Sequence, residues 1–242
     1  MVFSDIDDTL TWEGRLPPEV LQALQRLKDA GIIVVPITGG CAGWADCFVR
    51  TWPVQTVITE NGSFWLHQDH NNHVHRHFLC GEAERKANFD RLMELSEDFR
   101  KRFPMIDFAQ DQDFRLTDIA FDIGQQASIA RELAEQATHW WLEQGVTARF
   151  SSIHINVWIG DYNKATAAKA WLDQQDGITA EQCAFIGDSP NDETMFAEFK
   201  NTIGVANIQR YLKLMPQGPK FITQGKGGFG FCEFAESLLA RT

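Results

Sequence analysis

The chain opens with a short apolar segment that leads directly into an acidic one, Asp5-Ile6-Asp7-Asp8-Thr9. If the apolar segment is a β-strand, side chains two residues apart point to the same side, so Asp5 and Asp7 project together from its carboxyl end. Open α/β sheets place their chemistry at that end of their strands. Two adjacent carboxylates repel each other and need a cation or a shared proton, and Mg²⁺, which prefers oxygen ligands, meets this need. The first nine residues therefore predict a metal site at the edge of an α/β sheet.

The composition argues against several classes of protein. Apolar residues make up 44% of the 242 residues, and 18 Phe and 8 Trp provide a sizeable core, which argues against disorder. A net charge of −11 repels nucleic acid and anionic membranes, so we expect neither as a partner. The five cysteines form no CxxC pair, and an aspartate-rich segment rather than a signal peptide follows Met1. We therefore expect a cytoplasmic protein with reduced thiols.

Two parts of the sequence alternate buried strands with amphipathic helices. The strands are apolar runs without alternation, which is typical of parallel strands that are covered on both faces. They are predicted at 1–4, 32–37, 56–59, 183–187 and 202–205, and the helices at 17–30, 42–50, 164–173, 191–199 and 231–239. This pattern predicts a Rossmann-like, doubly wound parallel-sheet core built from residues 1–62 and 163–242.

Residues 63–162, between these two parts, have a different pattern. The predicted elements are a hairpin at 63–78, helices at 82–103 and 129–144, and alternating strands at 118–123 and 149–159. Strands with one polar face indicate an antiparallel sheet that helices cover on one side. We therefore predict an α/β fold in which residues 63–162 form an inserted α+β domain.

Four separated motifs, each at the end of a predicted strand or the start of a predicted helix, carry a family resemblance. They are Asp5-Ile6-Asp7-Asp8-Thr9, Thr38-Gly39, Lys164 and Gly187-Asp188-Ser189-Pro190-Asn191-Asp192. In this order they resemble the haloacid dehalogenase-like (HAD) phosphohydrolases. The size of the insertion, with Glu60-Asn61-Gly62 just before it, resembles the Cof-like, sugar-phosphatase branch with a type-two cap. That branch includes sucrose-phosphate phosphatase and mannosylphosphoglycerate phosphatase.

The resemblance implies roles for the acidic residues. Asp5 would be the nucleophile that forms an aspartyl phosphate, and Asp7 would be the general acid and base. Mg²⁺ would be held by Asp5, by Asp7 through its backbone carbonyl, and by Asp188. Asn191 and Asp192 would hold metal-bound water or orient Asp188.

The resemblance also implies a phosphate-binding set. Thr38 and the amides that follow it, beginning at Gly39, would donate hydrogen bonds to the phosphoryl oxygens, and Lys164 would place a positive charge on them. Lys169 is the competitor of Lys164 for this role, although it lies further into the predicted helix. Three positions depart from the family pattern: Gly40 stands where arginine is common, Asp8 where glycine is common, and Ala165 where glycine often follows the lysine.

The sequence therefore predicts a Mg²⁺-dependent phosphatase that acts on a small phosphorylated metabolite, either a sugar phosphate or a phosphoglycerate derivative. We expect a monomer or a homodimer. One alternative is a phosphomutase of the same architecture, similar to phosphomannomutase, which would return the phosphoryl group to the sugar. The other is a sugar-phosphate-binding protein without catalysis, against which the complete set of acidic residues and Lys164 argues.

Overall fold

The structure is a computed structural model that describes residues 1–151 and 153–241. In these ranges the strands are β1 (Val2–Ser4), β2 (Val34–Pro36), β3 (Thr56–Thr59), β4 (Phe64–Gln68), β5 (Val74–Phe78), β6 (Ile119–Asp122), β7 (Thr147–Phe150), β8 (His154–Trp158), β9 (Ala184–Gly187), β10 (Asn201–Gly204) and β11 (Phe221–Ile222). The helices are α1 (Pro18–Asp29), α2 (Ala42–Thr51), α3 (Glu82–Arg102), α4 (Arg131–Glu143), α5 (Lys164–Leu172), α6 (Glu193–Glu198) and α7 (Gly227–Leu239). No helix of the described ranges combines the length and the apolar character needed to cross a membrane.

A parallel sheet forms the centre of the molecule, in the order β11-β10-β9-β1-β2. A parallel bridge between Ile37 and Ile58 joins β3 to β2. When only the core strands are considered, this strand order is that of a doubly wound fold. The chain passes from one half of the sheet to the other between β1 and β9, which are neighbours. The predicted fold class is confirmed.

Helices cover both faces of this sheet, and the alternation within β1 shows how. Val2 packs in one apolar cluster with side chains of α1, α2 and α7, whereas Phe3 packs in a second cluster with side chains of α5 and α6. Because helices cover both faces, apolar side chains point to both sides of β1, as expected for a buried parallel strand.

The hairpin of β4 and β5 continues the core sheet beyond β3. β4 pairs antiparallel with β3, and Phe64 and Leu66 pack in the same cluster as Val57. The predicted boundary at residue 62/63 stays a prediction. From this pairing we propose that the inserted cap begins after β5, close to the start of α3.

The cap is a three-stranded antiparallel sheet in the order β6-β8-β7, covered on one side by α3 and α4. Residues 149–159 were predicted as one strand, and this prediction is wrong. Ser151 instead accepts hydrogen bonds from the amides of Ile153 and His154, which reverses the chain between β7 and β8. Residue 152, which the prediction included, lies outside the described residues. The alternation of Ile153, Ile155 and Val157 belongs to β8 and the turn before it.

Helix α7 begins four residues earlier than predicted, at Gly227. A Cβ at Gly228 would meet the carbonyl oxygen of Leu10, so the first turn of the helix lies directly against the loop after β1. The glycine-rich segment thus allows a close approach of two backbones.

A buried hydrogen-bond network joins the cap to the core around Glu60, whose side chain has no solvent exposure. The Glu60 carboxylate accepts hydrogen bonds from the amides of Ala42, Leu116, Thr117 and Asp118 and from the Thr117 hydroxyl. This carboxylate is therefore a major contact between core and cap, and it lies in a segment where Glu60, Asn61 and Gly62 all have positive φ.

Candidate active site

Asp5 and Asp188 follow neighbouring strands at the point where the sheet reverses its winding. Asp5 comes directly after β1 and Asp188 directly after β9, and the Asp5 amide donates to the carbonyl of Ile186 at 2.9 Å. Both side chains are almost fully buried. Doubly wound folds bind their ligands at this point.

Lys164 brings a buried amine to the same place. A capping box formed by Asn163 and Thr166 fixes the start of α5 one residue before it. Lys164 Nζ donates to Asp5 Oδ1 at 2.5 Å and to Asp192 Oδ1 at 2.7 Å. Lys169, the competitor, is half exposed and pairs with Glu198, so it takes no part in this cluster.

Three carboxylates converge here: oxygen atoms of Asp5, Asp188 and Asp192 all lie within 4.8 Å of one another. The sequence assigned Asp192 to the surroundings of the metal, and the structure places it in the cluster itself. The Asp7 side chain is exposed and lines the cleft above, outside this group. The individual roles stay predictions.

Asp192 also shapes the loop that carries Asp188. Its Oδ2 accepts from the amides of Asp188, at 2.9 Å, and Ser189, at 3.3 Å. Its carboxylate lies so close to Gly187 that a Cβ there would collide with it. Asn191 accepts a hydrogen bond from the Ser189 hydroxyl at 2.6 Å and lines the cleft.

The electrostatics of the cluster favour a bound cation. Burial, together with the charges of Asp192 and Asp7, raises the pKa of Asp5 to about 8, although Lys164 opposes this. Burial and the neighbouring Asp5 and Asp192 carboxylates likewise raise the pKa of Asp188. Burial would lower the pKa of Lys164, but Asp192 and Asp5 outweigh it, so that pKa is raised. One amine cannot balance three buried carboxylates, so an oxygen-preferring divalent cation such as Mg²⁺ fits the donor set.

The predicted phosphate-binding loop is compact. The Gly40 amide donates to Thr38 Oγ1 at 2.8 Å, and Thr38 is buried. A Cβ at Gly39 would lie 2.7 Å from Asn156 Nδ2 and 2.8 Å from Asn61 Oδ1, so only glycine fits between these side chains. The loop therefore presents its backbone to the cleft.

Sequence reasoning missed the residues that hold these loops in place. Asn207 donates to Asp188 Oδ2 at 2.9 Å and to the Asp8 carbonyl at 3.0 Å, and nothing in its sequence context signals this role. The buried Arg115 of the cap donates to the Gly39 carbonyl at 3.0 Å. An arginine thus reaches the predicted phosphate-binding loop from the cap, although position 40 has none.

Asp8 departs from the family pattern at a position whose geometry suits glycine. Its φ of 57° lies in the left-handed region, which Asp tolerates better than most residues other than glycine. The backbone at Asp8 therefore has a conformation that glycine would adopt without strain.

A cleft of about 630 Å³ lies between core and cap above the acidic cluster. Its floor includes Asp5, Thr38 and Asp188, and its cap side includes His154 and Asn156. This volume is typical of a small-molecule site. The doubly wound core, the cap and the buried acidic cluster together define an enzyme of the capped α/β class.

The chain belongs to the haloacid dehalogenase-like hydrolase family, whose model matches residues 2–89 and 83–217. The resemblance found in the sequence is confirmed. Among named relatives, the phosphoglycolate phosphatase of Pyrobaculum aerophilum is 31% identical over 240 residues, which cover 98% of this chain and 94% of the relative. That of Methanobrevibacter smithii is 24% identical over 237 residues, which cover 97% of this chain and 96% of the relative.

Solved structures with similar folds cover the chain almost completely. A Thermoplasma acidophilum protein superposes with a TM-score of 0.75 at 17% identity, covering 98% of this chain and 96% of that one. The sucrose-phosphatase of Synechocystis, in complex with sucrose and phosphate, gives a TM-score of 0.68 at 17% identity with the same coverage. At these identities the likeness concerns the fold.

Proposed function

We propose that this protein is a Mg²⁺-dependent phosphatase that hydrolyses the phosphomonoester of a small metabolite through an aspartyl phosphate on Asp5. The observation that carries this proposal is the buried meeting of Asp5, Asp188, Asp192 and Lys164 on the floor of a cleft. The names of the full-length relatives, phosphoglycolate phosphatases, support a phosphatase. Cytoplasmic location and a monomeric or dimeric state stay predictions.

In the first step a carboxylate oxygen of Asp5 attacks phosphorus, and the bond from phosphorus to the leaving oxygen breaks. Asp7, which lines the cleft, gives its proton to that oxygen. The amides of the loop at Thr38 and Gly39 and the ammonium of Lys164 hold the phosphoryl oxygens. Positioning and charge neutralisation account for most of the rate in phosphoryl transfer.

In the second step water attacks the phosphorus of the aspartyl phosphate, and Asp7 takes the proton of that water. The bond between Asp5 and phosphorus breaks, which releases inorganic phosphate and restores the carboxylate. Mg²⁺, held by Asp5 and Asp188 with Asp192 beside them, would supply positive charge against the phosphoryl oxygens. Asn207 keeps Asp188 in position for this task.

The decisive experiment compares Asp5→Asn with the wild type in p-nitrophenyl phosphate hydrolysis with Mg²⁺. We expect a loss of at least about 10³-fold in kcat, since the amide cannot act as the nucleophile. Asp98→Asn is the matched control, because Asp98 is exposed on α3 and does not line the cleft. Full activity of a folded Asp5→Asn protein would refute the assignment. Release of inorganic phosphate, rather than bisphosphate-dependent isomerisation, separates the phosphatase from a phosphomutase.

A further inference from the structure

The residues on the floor of the cleft account for the proposed phosphoryl transfer. The two walls above the floor differ in chemistry: one is aromatic and the other is polar. One wall consists of aromatic rings that begin on α2, at a spacing of four residues, which places them in a row. Trp44 stacks on Phe48 with ring centroids 5.8 Å apart, and Phe48 stacks on Trp52 at 4.1 Å. All three line the cleft, and Trp44 remains 54% exposed. An exposed tryptophan at a cleft offers an apolar face to a ligand.

The opposite wall is the polar face of β8. Because side chains alternate along a strand, Ile155 and Val157 enter the cap core while His154 and Asn156 line the cleft. His154 Nε2 lies 3.0 Å from Gln125 Oε1. Asp122 accepts four backbone hydrogen bonds from residues 124–127, which fixes the turn that carries Gln125. These neutral polar groups are therefore held rigidly before any ligand arrives.

Asn156 contains the detail that points to a ligand. The residue is only 4% exposed, yet its Oδ1 has no hydrogen-bond partner. A buried amide oxygen without a partner is costly. Asn156 lies beside Gly39, where the phosphate-binding loop meets the wall. A hydrogen-bond donor on the part of the leaving group nearest the phosphate would provide the partner that this oxygen lacks.

The charges around the cleft disfavour a leaving group that carries a carboxylate. Apart from Asp5 and Asp188 of the acidic cluster, its described lining includes four acidic residues, Asp7, Asp8, Glu13 and Asp111, and no lysine or arginine. The Arg115 guanidinium is buried and already donates four hydrogen bonds, to Asp111, Asp118 and the Gly39 carbonyl. Arg210, half exposed, faces Asp8 and Asp188 instead.

His154 provides no positive charge either. Burial, and then the charge of Arg115, lower its pKa to about 4, so the imidazole is neutral at physiological pH. A substrate carboxylate needs a cationic partner such as an arginine fork, and these walls present none among the described residues.

We propose that the two walls form a subsite for an uncharged, hydroxyl-bearing leaving group, namely a sugar or polyol monophosphate. The apolar side of the carbon chain or ring lies on Trp44 and Phe48, and a hydroxyl donates to Asn156 Oδ1. This inference rests on the proposed phosphatase function. It goes beyond the phosphoglycolate named for the relatives, because glycolate carries a carboxylate and, with two carbons, would leave most of a cleft of about 630 Å³ unfilled.

Two matched substrate pairs test the charge selection with the wild-type enzyme and Mg²⁺. Sorbitol 6-phosphate and 6-phosphogluconate differ only in a hydroxymethyl group against a carboxylate, and so do 2-hydroxyethyl phosphate and phosphoglycolate. We expect kcat/KM to be at least about tenfold higher for the hydroxyl member of each pair, since like charges in a cleft repel. Sorbitol 6-phosphate should also exceed 2-hydroxyethyl phosphate, because only the longer chain reaches the aromatic wall.

Two variants test the walls, each with the ratio of kcat/KM for sorbitol 6-phosphate to that for acetyl phosphate as readout. Asn156→Ala should lower this ratio about tenfold through the lost hydrogen bond, and Trp44→Ala about threefold to tenfold through the lost stacking surface. Phe221→Ala is the control, because Phe221 is 67% exposed on β11 and does not line this cleft. A general structural defect would lower both substrates together and leave the ratio unchanged.

The outcomes separate this inference from the proposed function. Preference for 6-phosphogluconate and phosphoglycolate would overturn the subsite and leave the phosphatase intact. An unchanged ratio in both wall variants would also overturn it. If no phosphate ester is hydrolysed at all, including p-nitrophenyl phosphate, the proposed function itself fails.

Discussion

Replacing Glu60 by glutamine tests the hydrogen bonds between core and cap, because the substitution exchanges one carboxylate oxygen for an amide nitrogen. The Glu60 carboxylate accepts from Ala42 at 3.0 Å through Oε1, and from Thr117 at 2.7 Å through Oε2. The amide of glutamine has one oxygen, and its nitrogen can only donate. The favoured orientation keeps the oxygen towards Thr117, where more donors converge, and turns the nitrogen towards the Ala42 amide.

The magnitude follows from counting the donors that lose their acceptor. The Ala42 amide, at the start of α2, is left buried and unpaired, which costs about 1.5 kcal/mol. The remaining hydrogen bonds lose their charged acceptor, which costs a similar amount in total. We therefore expect Glu60→Gln to lower the free energy of unfolding by about 3 kcal/mol, or the melting temperature by about 6–12 °C for a chain of this size.

Thermal unfolding followed by circular dichroism measures this change. Glu198→Gln makes the same substitution at an exposed ion pair with Lys169, and there we expect less than about 1 kcal/mol. If Glu60→Gln proved no more destabilising than Glu198→Gln, the idea that the buried Glu60 carboxylate stabilises the contact between cap and core would be wrong.

Two further predictions concern pH and metal. The pKa of His154 is lowered in the folded state to about 4. Between about pH 6.5 and 4, His154 is therefore protonated in the unfolded chain and neutral in the folded one. The free energy of unfolding consequently falls as the pH falls through this range. In urea unfolding at pH 7.5 and 5, His154→Gln should lose less stability on acidification than the wild type by at least about 1 kcal/mol; equal losses in the two proteins would contradict this. Mg²⁺ at about 100 times its dissociation constant should stabilise the fold by about 2.7 kcal/mol, which raises the melting temperature by about 5–10 °C. EDTA should abolish this shift and Asp188→Asn should reduce it, so an undiminished shift in that variant would argue against Asp188 as a ligand.

The sequence was most informative about residues whose side-chain chemistry and whose position at the end of a strand or the start of a helix both indicate the same site. The acidic segment after the first strand and Gly187–Asp192 after β9 had to meet once the sheet was doubly wound, because the carboxyl ends of neighbouring parallel strands share one edge. Lys164 could be preferred over Lys169 because a cation at the first turn of a helix is unfavourable without a partner.

Other parts of the site depend on contacts between residues that are distant in sequence. Arg115 and Asn156 belong to the cap, and only the folded chain places them beside Gly39. The tryptophans were expected to contribute to the core, and Trp141, Trp158 and Trp171 are buried there. The cleft is instead lined by Trp44 on α2 and by Trp52 directly after that helix, and no sequence signal indicated a ligand there.

The hydrogen bond from Arg115 to the Gly39 carbonyl ties the shape of the turn at Thr38 and Gly39 to the position of the cap. A displacement of the cap that broke this bond would remove one of the contacts that shape the turn. If the turn binds the phosphoryl group, as we propose, a molecule with a displaced cap would hold that group less firmly, so the affinity for phosphate and the position of the cap should change together.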